Sequence, residues 1–173
     1  MKNFIKVLMV TGILTQLLAL AAFAEEKVGD DIPTACSSIN LRIAPLGMKC
    51  KTSKGGHDGK GAIFERVSRD NFGEAWKGPD GVIWSDRTGS DTQFNAVYAC
   101  ENLGGELPSR ANFERGEANG FREVLPNMKD HWFWSSSVNP SDPYYGNYFS
   151  GNYGDIGDTS RNNGKFSVRC VGR

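Results

Sequence analysis

Little in this sequence favours one sign of charge: its 173 residues carry 20 Lys and Arg against 20 Asp and Glu. A chain that grips a polyanion nonspecifically needs a basic excess, so nucleic acid is excluded as a partner. Histidine is scarce, with only His57 and His131. No C-x-x-C pair occurs among the four cysteines, so the closely convergent nitrogen and sulfur ligands of a zinc site are missing. After the N-terminal region no apolar run reaches the ~20 residues of a spanning helix, which excludes a later helical membrane span. Catalytic signatures are also lacking. The serines of "SSS" (Ser135–Ser137) have no nucleophile motif around them, and no two carboxylates stand out as a glycosidase pair. The glycines of "GGHDGKG" approach a phosphate loop, but Gly61 stands where Ser or Thr is required. No catalytic residue is assigned.

What is present begins with an address. "MKNFIK" supplies two lysines, and "VLMVTGILTQLLALAA" an apolar stretch of about 16 residues. Ala22-Phe23-Ala24 then offers a small-x-small cleavage site. This is the anatomy of a secretory signal peptide over residues 1–24, so the protein is expected to be exported, to the periplasm or the cell surface. In an exported chain an even cysteine count points to disulfides. Residues 25–62 read as an irregular, turn-rich segment in which Cys36 and Cys50 close a short loop, worth about 3 kcal/mol in the chain-entropy model.

From residue 63 the pattern sharpens. "AIFERV" suits a half-buried strand, and "GEAWKGPDGVIWSD" a hairpin turning at Gly78-Pro79-Asp80-Gly81. "SDTQFNAVYACENLGG" predicts a helix capped by Ser90 or Asp91 and stopped at Gly104-Gly105. Ala96, Val97, Cys100 and Leu103 share its inward side. A second helix, "SRANFERGEANG", starts with Ser109 as cap. In "HWFWSSS" Trp132 and Trp134 share one face, opposite Phe133 and Ser135. "KFSVRCV" places Phe166, Val168 and Cys170 on one face, opposite Ser167 and Arg169. Trp134, Val97, Leu103 and Val168 are the expected core. Four cysteines allow three connectivities, of which Cys36–Cys50 with Cys100–Cys170 fits these faces. The longer loop is worth roughly 4.4 kcal/mol in the same model.

The succession of "AVYACENLGG", "LPS", "FWSSS" and "FSVRCVGR" resembles the Lcl C-terminal domain-like family of exported bacterial modules, over residues 63–173. The resemblance implies an α+β, C-type lectin-like fold related to that of formylglycine-generating enzymes. Two helices would flank small twisted antiparallel sheets, with a long loop region on one side. It also implies the Cys100–Cys170 bridge. The family usually carries an arginine before the "LP" step, where this chain has Glu106. Its best-known members are adhesive, recognising sulfated glycans or surface polymers.

"PYYGNYFSGNYGDIGD" (143–158) is the candidate binding segment. Phe149 and some tyrosines are expected to pack inward, but tyrosine set among Gly, Asn and Ser is the composition of adaptable binding loops. Loops over 139–165 would then present Tyr144, Tyr145, Tyr148 and Tyr153 as stacking platforms. Asp142, Asn147, Asn152 and Asp155 would supply hydrogen bonds to a glycan or surface polymer. No cofactor is required; the one ion left open is calcium, through Asp155 and Asp158. The expected function is an exported ligand-binding or adhesion module of a Gram-negative envelope, its partner a glycan, a cell-surface polymer or another envelope protein. The alternatives are a structural envelope protein without a small ligand, and an enzyme of the sulfatase-modifying-factor-like fold.

Overall fold

One mixed sheet of nine strands organises the chain, in the order β1-β2-β3-β4-β5-β9-β6-β7-β8. The structure is a computed structural model that describes residues 33–162 and 164–173. The expected signal peptide (1–24), the first residues of the lead-in and Asn163 lie outside the described residues. The strands are β1 (Thr34–Ala35), β2 (Lys49–Lys51), β3 (Ile63–Val67), β4 (Ala75–Lys77) and β5 (Ile83–Asp91), then β6 (Trp132–Asn139), β7 (Asp142–Ser150), β8 (Asp155–Ser160) and β9 (Phe166–Gly172). Two helices, α1 (Gln93–Asn102) and α2 (Arg110–Ala118), separate β5 from β6. The chain is therefore α+β. A single sheet replaces the small separate sheets expected, because β9 pairs antiparallel with β5 and parallel with β6 and so joins the two halves.

The lead-in belongs to this sheet. β2 pairs antiparallel with β3, and Cys36 and Cys50 are bonded and buried in the main core with Phe64, Trp76 and Trp84. The Cys36–Cys50 bridge thus adds to a shared core. Further on, the predicted hairpin forms as β4 and β5 with Trp76 opposite Trp84. The α2 cap is Ser109, in a capping box with Asn112. The α1 cap is corrected from Ser90 or Asp91 to Thr92, whose hydroxyl accepts from the Asn95 N–H. Ser90 and Asp91 are still held in β5, opposite Ser167 and Phe166, and so cannot turn into the helix.

Each helix covers a different side of the sheet. On one side α1 meets β9, β6 and β5, where Ala96 and Cys100 pack with Trp134, Val168 and Cys170. Val97 and Leu103 sit half-buried at the edge of that cluster. Cys100 is bonded to Cys170, which fastens α1 to the last strand. On the other side Phe113 of α2 stacks on Phe149 of β7 with centroids 5.0 Å apart, and Phe121 meets Phe149 edge-on at 5.2 Å. Alternation along the strands produces this division: Phe133 and Phe149 face α2, while Trp134 and Tyr148 face the α1 side.

Arg169 is the exception to an apolar core. The alternation of "KFSVRCV" sets it opposite Val168 and Cys170, and it is 0 % exposed. Its guanidinium donates to the carbonyls of Ser85 and of Pro126 (2.6 Å for the latter) and lies 5.7 Å from the Phe133 ring. Asp86 is its nearest carboxylate at 3.9 Å. Burial pushes its pKa down to about 10, with Asp86 opposing the shift. The side chain pins β9 to β5 and to the loop before β6.

Candidate functional site

The segment 139–165 is corrected from a set of loops to a hairpin of strands. β7 pairs with β6, with register shifts between Trp134 and Asn139, and with β8 in continuous register, from Tyr145 opposite Ser160 to Ser150 opposite Asp155. "DIGD" reads as turn by composition, yet it forms the edge strand because β7 supplies a hydrogen-bonding partner along its whole length. Gly157 has a further reason to be glycine. A Cβ there would lie 2.5 Å from the Tyr148 ring, so the tyrosine can lie flat across β8 only because that position is bare.

Strand alternation then scatters the proposed tyrosines. Tyr144 is 81 % exposed on the α1 side, near the start of β7. Tyr145, also exposed, projects from the opposite side. Tyr153 is exposed in the turn after Ser150, and at about 3.3 Å per residue Ser150 is about 20 Å from Tyr144 along the strand. These three rings do not share a surface. Asn147 is corrected as a ligand contact: it points to the same side as the core residue Phe149 and is only 6 % exposed. Asp142 accepts the Tyr144 N–H at 3.0 Å, and Asp158 accepts from the Asn139 amide at 2.6 Å, so both carboxylates serve the hairpin. Asp155 stands at the far end of β8, opposite Ser150. Among the described residues no group of three or more His, Cys, Asp or Glu is placed to hold a metal ion.

One of the proposed residues, Tyr148, does join a cluster, around a side chain that composition alone did not single out. Tyr148 stacks on Trp132, centroids 5.3 Å apart and planes 24° apart. Phe166 stands edge-on to both, at 5.3 Å from Trp132 and 5.0 Å from Tyr148, and tilts against Trp134 at 4.7 Å. Trp134 is sealed beneath α1 and donates its indole N–H to the Asp91 carbonyl at 2.7 Å. Trp132, two residues earlier on the same face, is 47 % exposed. The sequence held a signal for this: Trp132 opens its strand directly after the polar run "KDH", at the rim of the sheet rather than its centre.

Beside these rings is an open cleft of about 670 Å³, at the starting ends of β6 and β9. Lys129, Asp130, His131, Asn152 and Lys165 line it together with Trp132 and Phe166. Among the described residues neither lysine is engaged in an ion pair. Ser90 and Ser167 close the floor and are both hydrogen-bonded by Arg87 at 2.9 Å. At its edge the Asp91 carboxyl is held below the usual carboxylate range, first by the Asn95 amide, then by the Thr92 N–H, with a smaller contribution from Lys165. Chemically, the arrangement offers a flat aromatic surface bordered by exposed cations and the Asn152 amide. That combination suits the apolar face and the hydroxyls of a sugar ring.

No family model matches the chain, and no curated protein is found to be similar to it.

Proposed function

We propose that the protein is an exported recognition module for glycans or surface polymers, and that its binding surface is the Trp132–Tyr148–Phe166 face with the adjoining cleft. The observation that carries this reading is Trp132 itself: a large aromatic ring stacked and aligned by its neighbours, yet 47 % exposed beside Lys129 and Lys165. A ring held in place gives contact area at little entropic cost. Membership of the Lcl C-terminal domain-like family, with a C-type lectin-like fold, is part of the same proposal. It is supported by the two helices and by the bridge from α1 to the last strand. Glu106, at the position of the usual family arginine, is exposed and contributes backbone bonds to Val171 at 2.8 and 2.9 Å. A ligand contact through that arginine is therefore not carried over.

Export is supported by two buried disulfides. A purely structural envelope role would call for the tyrosines of the hairpin to be buried; Tyr144, Tyr145 and Tyr153 are exposed. The test is retention on a panel of immobilised polysaccharides and cell-wall polymers, comparing the natural chain with Trp132→Ala. A tryptophan at the centre of a binding site is worth about 2 kcal/mol or more, so at least one polymer should be held about thirtyfold less tightly by the variant. Equal retention of every bound polymer would refute the site.

A further inference from the structure

We infer that a second recess, between Phe94, Tyr144 and Arg161, is a subsite that reads a ring-borne carboxylate, as in an acidic sugar residue. The inference rests on the glycan-recognition reading and adds to it a ligand charge and a second point of contact. The recess encloses about 280 Å³, bounded by Phe94, Pro143, Tyr144, Arg161 and Asn162. It lies on the α1 side of β7, about 13 Å along that strand from Tyr148.

Its central feature is a cation fixed from behind. Gln93 is 1 % exposed at the start of α1, and its amide nitrogen donates to the carbonyls of Ser135 and Ser137. Both amide hydrogens are thereby used, which turns the amide oxygen toward Arg161, where it accepts from the guanidinium Nε. Space for this amide is reserved by Gly146, where a Cβ would lie 2.5 Å from it. Arg161 also donates to the Pro143 carbonyl at 3.3 Å and stacks over Phe94, 4.1 Å from the ring centroid. A guanidinium has five N–H groups, so these bonds leave most of the fork free. Among the described residues no ion pair joins Arg161 to a carboxylate.

The walls specify the rest of the ligand. Phe94 is 44 % exposed and Tyr144 81 % exposed, so both rings offer uncovered apolar surface around the cation. An immobilised guanidinium selects a planar, bidentate acid, and the flanking rings select a body with a flat apolar face. A uronic acid residue has both, together with hydroxyls for Asn162 and the Tyr144 phenol.

The experiment is calorimetric titration of the full mature chain with trigalacturonic acid and with its neutral methyl ester. The natural protein is expected to bind the acid about tenfold or more tightly over the ester, the gain of one charge-assisted pair. Arg161→Gln should bring that ratio close to one. Tyr144→Ala, an exposed position whose loss leaves the fold intact, should weaken binding of the acid severalfold. Trp132→Ala should weaken acid and ester alike and preserve the ratio. Equal affinity for the two probes, or a ratio that survives both Arg161→Gln and Tyr144→Ala, would overturn the subsite; binding that still depended on Trp132 would then leave the broader function standing. Failure to bind either probe would also overturn it, and Trp132-dependent retention of a neutral polymer would show that the broader reading holds without it.

Discussion

The two sides of the β6–β8 hairpin region carry the same class of residue and treat it in opposite ways. On the α2 side Phe113, Phe121, Phe133 and Phe149 are all buried, with Phe113 and Phe149 stacked face to face. On the other side Trp132, Tyr148 and Phe166 are arranged with equal order, but the cluster opens to solvent at Trp132. Aromatic clustering by itself therefore does not separate core from binding surface. What separates them is cover: α2 lies across one cluster, whereas α1 stops over Trp134 and leaves the neighbouring tryptophan at the rim.

That contrast can be broken by substitution. The largest effect is expected on the covered side, where Phe149→Ala should cost about 3–5 kcal/mol and leave polymer binding by the remaining folded protein unchanged. Chemical denaturation measures the first, and retention at low temperature the second. Arg169→Met should cost about 2–5 kcal/mol, because it strands the buried carbonyls of Ser85 and Pro126. The same titration would show it as a shifted midpoint. Removing both members of the Cys100–Cys170 bridge by serine substitution should cost roughly 4 kcal/mol in the chain-entropy model.

The smallest effect concerns Asp91, which holds the entry to α1 by accepting from Asn95 and Thr92. Its pKa is lowered in the folded protein, so its contribution is present above the ordinary carboxylate pKa and is lost as pH falls through the lowered value. Asp91→Asn should flatten the acid limb of the stability–pH curve slightly, through a small loss of stability at neutral pH and little change below the lowered pKa. An unchanged acid limb would mean that these bonds are equally available in the unfolded chain.

Much of the frame was legible in the sequence, because it rests on local rules. The α2 cap, the helix stops, the turn at Gly78–Gly81 and the period-two faces of "FWSSS" and "FSVRC" each leave a pattern in a short window, and the cysteine pairing follows from those faces. The α1 cap did not, since β5 holds Ser90 and Asp91 past the point where the sequence suggests a turn. β8 was not legible, since its Asp and Gly residues have no strand preference of their own and are ordered by β7. Arg169 was invisible for a related reason: alternation gave its side of the sheet, but only tertiary packing makes that side dry. The candidate site was half legible. Tyr148 and Asn152 belong to it, while Asn147 and Tyr145 fall on the wrong side of the strand. Trp132 looked like its buried neighbour Trp134 because the two share a face, and only the end of α1 tells them apart.

The most direct measurement pairs stability with binding for Trp132→Ala in one preparation. Trp132 is half-exposed, so the account predicts a loss of stability of about 1 kcal/mol or less together with a loss of polymer affinity of about thirtyfold. A large drop in stability with affinity unchanged would show that the ring is merely the edge of the core, and would contradict the proposed binding face.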